Sequence, residues 1–344
     1  MTVTGTLAAL AAIALAFALD RLVGEPPTAW HPVAWFGRLV GALDHEWTDS
    51  TRSQRLVGVA VALLAPLVPA GAAAGVVFAG LSIHLFVGVA LAGLVLFFSI
   101  SLRSLLELTT TVLEATDGDL ETAREEIRGL VGRDVSALSP AQLRSGALES
   151  AAENLADGLV AGLLAFALLA PVSLPLAAAG AAWVKGVNTL DSMLGYPSKP
   201  IGTASARLDD LVMWLPARVS ALALALAVGR PLAPWRVRRW ARTPASPNSG
   251  WPMATLAAVL EVRLEKRGAY DLNTDADFPT LADGERAVRL VGIAAIVAVV
   301  LAVLVVVSTG VVLEALAGTG LANSVTMPGQ RPPLEYDPVW EVRR

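Results

Sequence analysis

Long apolar runs alternate with short polar ones along this chain, and the runs have the length of membrane crossings. Stretches near 5–19, 57–79, 81–100, 159–183, 211–228 and 288–313 are apolar, and about 20 such residues span a bilayer. The pattern predicts an all-α polytopic membrane protein with about four to six embedded helices, some broken or re-entrant. The last run, "LVGIAAIVAVVLAVLVVVSTGVVL", is the plainest crossing. The fourth carries Pro171 and Pro175 in mid-segment, and the fifth carries Pro216 and Arg218. Proline removes a backbone donor and breaks or kinks a helix, so both are expected to be discontinuous, as is tolerated where the backbone is buried or lines a cavity.

The polar runs divide the chain further. Residues 1–100 form an N-terminal membrane part with a polar loop at 20–56. Residues 101–158 form a helical insertion, in which Ala123, Ile127, Leu130 and Val131 share one helical stripe. Ser139-Pro140 opens a fresh helix there. Residues 159–228 make a central membrane pair around a polar loop at 184–210. Residues 229–287 are basic and amphipathic, 288–313 cross, and 314–344 are a polar tail. Lys and Arg number four in 20–56, five in 101–158, three in 184–210 and ten in 229–289. With the fourth and fifth runs re-entrant, all of these face the cytoplasm, as basic loops do. The basic "PWRVRRWAR" at 234–242 suits an anionic leaflet.

Composition agrees with this picture. Hydrophobic residues make up 55% and charged ones 16%, against about 25% charged in soluble domains; mean hydropathy is +0.60. The net charge of −4 argues against nucleic acid as a partner. No cysteine is present, which excludes thiol and disulfide chemistry. His84, inside an apolar run, is expected to be an interior hydrogen-bonded residue.

The candidate chemistry lies where polar clusters meet the membrane runs. In "ESAAENLADG" (149–158) a helix stacks Glu149, Glu153 and Asp157 on one face, although like charges at i,i+4 cost about 0.2–0.5 kcal/mol per pair. In "KGVNTLDSMLGY" (185–196) Lys185, Asn188 and Ser192 share a face, with Asp191 alongside. Arg207, Asp209 and Asp210 precede the fifth run. Six carboxylates thus flank the same two segments, and ionisable groups at such positions are functional candidates. Magnesium would reconcile them, since it takes carboxylate, phosphate and water oxygens. Lys185 and Arg207 would then neutralise phosphate. No P-loop or dinucleotide-binding glycine motif is present, so ATP would need another kind of site.

Six blocks, in order, carry a resemblance: "HPVAWFGRL", "LVGRDVSALS", "ESAAENLADG", "VNTLDSMLGY", "SARLDDLVMWLPARVSALALA" and "SPNSGWPMATLAAVLEVRLE". Together they resemble the signature blocks of the CobD/CbiB family of adenosylcobinamide-phosphate synthases, membrane enzymes of cobalamin biosynthesis, over about residues 20–267. The resemblance implies ATP-dependent amide ligation of adenosylcobyric acid with (R)-1-aminopropan-2-ol or its O-phosphate. It places Glu153, Asp157 and Asp191 as magnesium ligands and Lys185 and Arg207 on phosphates. Asp209 or Asp210 would take the proton from the attacking amine. Within the matched blocks, His31, Arg38, Arg133, Glu149, Asn154, Asn188, Ser192 and Asn248 are expected in substrate or cofactor binding. A homo-oligomer, or association with other membrane enzymes of the pathway, is also expected. The chain departs from the family between "NTLDSMLGY" and "SARLDD", where "PSKPIGTA" replaces a longer and more charged stretch; Lys199 lies there. A transporter built on broken helices and a magnesium-dependent membrane phosphotransferase are the competing readings. The first would place polar groups at mid-membrane, and the second would need an Asp-Gly followed by Ala-Arg, which "DGLVAGLL" lacks.

Overall fold

A computed structural model describes residues 3–130 and 135–318. It is helical apart from one short hairpin, the only strands among the described residues. In chain order the elements are α1 (Val3–Leu22), α2 (Pro32–Leu43), α3 (Thr51–Leu64), α4 (Leu67–Ile83), α5 (Leu85–Ser99), α6 (Leu102–Ala115) and α7 (Leu120–Glu126). After these come α8 (Pro140–Leu155), α9 (Ala161–Leu169), α10 (Leu174–Leu194), α11 (Thr203–Val212), α12 (Trp214–Ala227), α13 (Ala233–Arg236) and α14 (Gly250–Leu260). The hairpin pairs β1 (Leu264–Lys266) antiparallel with β2 (Tyr270–Leu272), and α15 (Leu281–Gly318) closes the fold.

Five helical stretches are long and apolar enough to cross a membrane: Val3–Leu22, Thr51–Ile83, Leu85–Ala115, Pro140–Leu169 and Leu281–Ala315. A sixth results if α11 and α12, bent by 45° at Met213, are counted as one. The bundle is sealed by small residues. Ala9, Ala12 and Ala16 of α1, Ala177, Ala178 and Ala181 of α10, and Ala294, Ala295, Ala298 and Ala302 of α15 are all fully buried. Small side chains let helix backbones approach closely where lipid gives no hydrophobic drive. Exposed Leu63, Phe78, Phe86, Ile296, Val300 and Leu304 face outward, as lipid requires.

The prolines act more selectively than the sequence suggests. The fourth apolar run breaks once, in the turn at Ala170–Ser173 that holds Pro171. Pro175 breaks nothing: it sits in the first turn of α10, where its missing N–H costs no bond. The Ser173 side chain caps that turn by accepting from the Leu176 N–H at 3.3 Å. Pro216 lies likewise in the first turn of α12, just after the bend. The run at 159–183 is therefore the tip of a helical hairpin, α9 against α10. Ser139 does cap α8, with a reciprocal bond from the Ser139 N–H to Gln142 Oε1 at 3.1 Å, a capping box.

Two boundaries need correction. The run at 81–100 begins a helix only after His84, which is exposed and caps α5 by accepting from the Phe86 N–H at 3.3 Å; it is not an interior residue. Within 101–158, α6 continues the apolar stretch of α5, since Leu85–Ala115 qualifies as a single crossing. Their junction is pinned by Asp20, almost fully buried in α1, whose carboxylate accepts from the Leu102 and Arg103 N–H groups at 3.1 Å each. Ala123 and Ile127 of the expected amphipathic stripe are buried; Val131 and Arg133 lie outside the described residues, as does most of the 314–344 tail.

Candidate functional site

The hairpin brings the two polar motifs together by simple arithmetic. The turn is centred near residue 171, and both arms rise about 1.5 Å per residue. Asp157 lies 14 residues before Pro171 and Lys185 lies 14 after it, so the two end at one height, about 20 Å from the tip. Glu153 lies one turn farther on, and Asp191, six residues beyond Lys185, acts on it across the hairpin. The α8–α9 arm is not uniformly α-helical: Ala156–Val160 forms a π-turn that includes Asp157, a distortion common at functional sites. The Gly158 carbonyl there accepts from the Ser101 N–H at 2.8 Å. A Cβ on Gly158 would stand 2.9 Å from Ser101 Oγ, which accounts for glycine at that position.

Helix α11 supplies the third wall. The Asn188 side chain, on α10, stands close to both Asp157 and Asp209, where three helical segments meet. Asp157 also lies in the charge field of Glu153, Asp209 and Lys185. Asp209 faces Asp191, Asp210 and Glu153, and Asp191 faces Asp210. Five carboxylates from α8 to α11 therefore share one half-buried region. One atom is conspicuous: Asp209 Oδ1 is buried with no hydrogen-bond partner among the described residues. A buried acceptor without a donor costs about 1–3 kcal/mol.

These residues fit magnesium of a particular kind. Among the described residues no three Asp, Glu or His side chains close around a single point at ligating distance. A cage made only of protein is therefore absent there. Magnesium bound through one or two carboxylates, completed by water and phosphate oxygens, suits a loose acidic cluster with an orphaned oxygen.

Positive charge stands on two sides. Lys185, half-buried, has no carboxylate within 4.0 Å among the described residues, yet it sits in the fields of Asp157 and Glu25. It opens into a polar cavity of about 300 Å³ lined by Glu25, Thr28, His31, Ser101 and the apolar Phe98. His31 caps α2 through Nδ1, which accepts from the Val33 N–H at 3.2 Å. Burial, and secondarily the Lys185 charge, hold the His31 pKa below its usual value. Burial at the cavity raises that of Glu25, against the pull of Lys185. On the other side Arg207 is exposed on α11 and acts on Asp210.

Other expected site residues stand elsewhere or are already engaged. Glu149 accepts from Ser145 Oγ at 2.7 Å and Tyr270 Oη at 2.8 Å, which fastens the β-hairpin to α8. Asn154 donates back to the Ser150 carbonyl at 3.0 Å. Ser192 is exposed and donates to the Asn188 carbonyl at 2.9 Å. Arg38 is exposed on α2. Buried Asn248 donates to the Asp210 carbonyl at 2.7 Å and accepts from Arg218, whose guanidinium lies between the Trp214 and Trp251 rings. Asn248 and Arg218 together brace the end of α11, Arg218 acting as a clamp. Lys199 pairs with Asp44 at 2.6 Å.

Three neighbours of the site escape the motif reading. Glu25 and Ser101 come from loops remote in sequence, and Lys266 on β1 acts on Glu153 from the hairpin. Glu25 alone leaves a trace, standing six residues before His31 in a proline-rich turn.

The family model described as CobD/Cbib protein matches residues 13–300 of the chain. A probable cobalamin biosynthesis protein CobD of Methanothrix thermoacetophila is 33% identical over 304 residues, covering 85% of this chain and 95% of that one. The cobalamin biosynthesis protein CobD of Geobacter metallireducens is 36% identical, over 79% of this chain and 86% of its own. That of Klebsiella pneumoniae is 35% identical, over 82% and 89% respectively. No solved structure matches the chain. With the match running through every element that builds the acidic pocket, the chain belongs to the CobD/CbiB family.

Proposed function

We propose that this protein acts in cobalamin biosynthesis as an ATP-dependent amide ligase on the cytoplasmic side of the cell membrane. It would join the propionate carboxyl of adenosylcobyric acid to the amine of (R)-1-aminopropan-2-ol or of its O-phosphate. The observation that carries the reading is the convergence of Glu153, Asp157, Asp191 and Asp209 around Asn188, beside the unpaired Lys185. A carboxylate is a poor electrophile at neutral pH. Transfer of the γ-phosphoryl group of ATP onto it gives an acyl phosphate and ADP. The free amine then attacks the acyl carbon, phosphate leaves, and the amide remains.

Each residue has a task in that sequence. Magnesium would neutralise phosphate charge, held by Glu153, Asp157 and Asp191 directly or through water. Lys185 and Arg207, from opposite sides, would hold phosphate oxygens; phosphoryl transfer needs positioning and charge more than covalent help. Asn188, beside both Asp157 and Asp209, would orient their carboxylates. Asp209, with its orphaned oxygen, or Asp210 would accept the ammonium proton, since only the free amine attacks. His31, uncharged at neutral pH, and Glu25 line the neighbouring polar cavity, which has room for the small amino alcohol.

The test uses purified protein with adenosylcobyric acid, Mg-ATP and either aminopropanol or its phosphate, followed by mass spectrometry. The expected result is an ATP-dependent amide product with one acceptor preferred. No amide with either acceptor, from protein shown to be folded, would overturn the assignment.

A further inference from the structure

Between Asp210 and Glu261 the chain contains no acidic residue, yet it carries six arginines: Arg218, Arg230, Arg236, Arg238, Arg239 and Arg242. Arg218 is spent on the clamp described above, and Arg230 lies 3.6 Å from Glu261. The other four are exposed, and among the described residues none has a carboxylate within 4.0 Å. They occupy the segment that leaves α12 and leads through α13 towards α14. The same segment gathers aromatic rings. Trp235 is 67% exposed beside Leu232 at 64%, and Arg238 lies over the Trp235 ring at 5.2 Å.

For a water-exposed loop this is a poor surface: large apolar side chains stand uncovered and like charges crowd without counter-ions. At a membrane boundary both features are favourable. Indole rings settle at the headgroup level, and basic residues there attract anionic lipid by about 1 kcal/mol each. We propose that residues 230–242 form a docking surface for anionic phospholipid headgroups, with Arg236, Arg238 and Arg239 as the phosphate contacts, Trp235 at the headgroup level and Leu232 inserted among the acyl chains. The surface reaches the acidic pocket through one short path. Arg242 and Arg218 repel each other, and Arg218 braces Asn248, which holds the Asp210 carbonyl. Anionic headgroups against Arg242 relieve that repulsion and steady the end of α11.

The test is lipid retention, which is independent of ligase activity. Wild-type protein and the triple variant Arg236→Gln/Arg238→Gln/Arg239→Gln are placed in nanodiscs of equal phosphatidylglycerol and phosphatidylcholine, extracted, and their bound lipids counted by native mass spectrometry. Wild type should keep phosphatidylglycerol several-fold over phosphatidylcholine, and each arginine removed should lower that ratio by up to about five-fold. The charge-preserving Arg→Lys triple variant should retain it, and 0.5 M salt during extraction should weaken it for wild type, a control that needs no variant. Equal lipid ratios for wild type and the glutamine variant would overturn the proposal. So would retention abolished by free inorganic phosphate at low millimolar concentration, which would mark a soluble-anion site instead.

Discussion

Two charged regions of this molecule sit about one helix apart and are built on opposite plans. Around the β-hairpin charges are paired at close range. Arg263 makes a two-pronged pair with Asp271, a further contact to Glu265 at 3.1 Å, and stacks over Phe278 at 5.0 Å. Glu149 beneath it accepts two hydroxyl bonds. In the pocket between α8, α10 and α11, five carboxylates face one another. One amide, Asn188, stands beside two of them, Lys185 stands off unpaired, and one oxygen of Asp209 is buried without a donor. The hairpin's charges answer one another, and the Tyr270 hydroxyl and the Glu265 N–H fasten it to α8. The pocket leaves its charges short, which disfavours the fold and is what the proposed cation would offset.

That contrast predicts opposite outcomes for mutations of the same chemical kind. The largest effect is expected for Asp157→Asn and Asp209→Asn. Ligation should fall by about 100-fold or more, the scale for losing an electrostatic contact to the reacting groups. The thermal midpoint should hold or rise, because a repelling charge has gone. Turnover within two-fold of wild type in both variants would remove the pocket from the chemistry.

Next in size is a steric test of how α11 is held. Gly58 of α3 lies against the Ile201 backbone, and a Cβ there would overlap the Ile201 carbonyl. Gly58→Val should cost about 1–3 kcal/mol, as overpacking does. It should also depress ligation in whatever protein remains folded, since the 200–202 turn leads directly into α11. Unchanged unfolding and turnover would show that α11 is not positioned from that side. Arg263→Ala, by contrast, should lower the thermal midpoint by only a few degrees, since partly exposed pairs contribute about 1 kcal/mol or less, and should leave ligation per folded molecule unchanged. A large loss of ligation there would erase the distinction between the two regions.

The smallest effect is one of pH. The His31 pKa is lowered in the folded protein, so below the unfolded value of about 6.5 the unfolded chain binds more protons. Stability therefore rises with pH through that window and levels off above it. Protonation also removes the Nδ1 acceptor that caps α2. Denaturation in detergent between pH 5 and 7.5 should show this acid-side loss in wild type. His31→Asn, which keeps a capping oxygen, should flatten it. An unchanged slope in His31→Asn would assign the acid loss to other groups.

Much of this arrangement is legible from residues alone, and the rest is hidden for physical reasons. The apolar runs announce the crossings because lipid demands length and composition together. The acidic stack at 149–157 and the polar face of 185–192 point to one site because both adjoin the same run. The sequence does not say that Glu149 turns to Tyr270 while Glu153 and Asp157 turn to α10. A shared helical face fixes direction only to within a turn, and the π-turn at 156–160 re-aims the side chains beyond it. Nor does it say that Asn248 and Arg218 brace α11 from behind, since their partners lie 38 and 30 residues away. Prolines mislead in the same way: Pro171 and Pro175 look alike in a string, yet only one falls outside a first turn.

The proposed function requires the pocket's carboxylates to bind a cation together with phosphate, and electron paramagnetic resonance of Mn²⁺ as a magnesium substitute measures this directly. With purified protein and ATP, wild type should immobilise Mn²⁺ at one site per chain. Asp157→Asn and Asp209→Asn should each weaken that binding at least ten-fold, and Glu149→Gln should leave it unchanged. Equal Mn²⁺ binding by wild type and both aspartate variants would contradict a shared cation site.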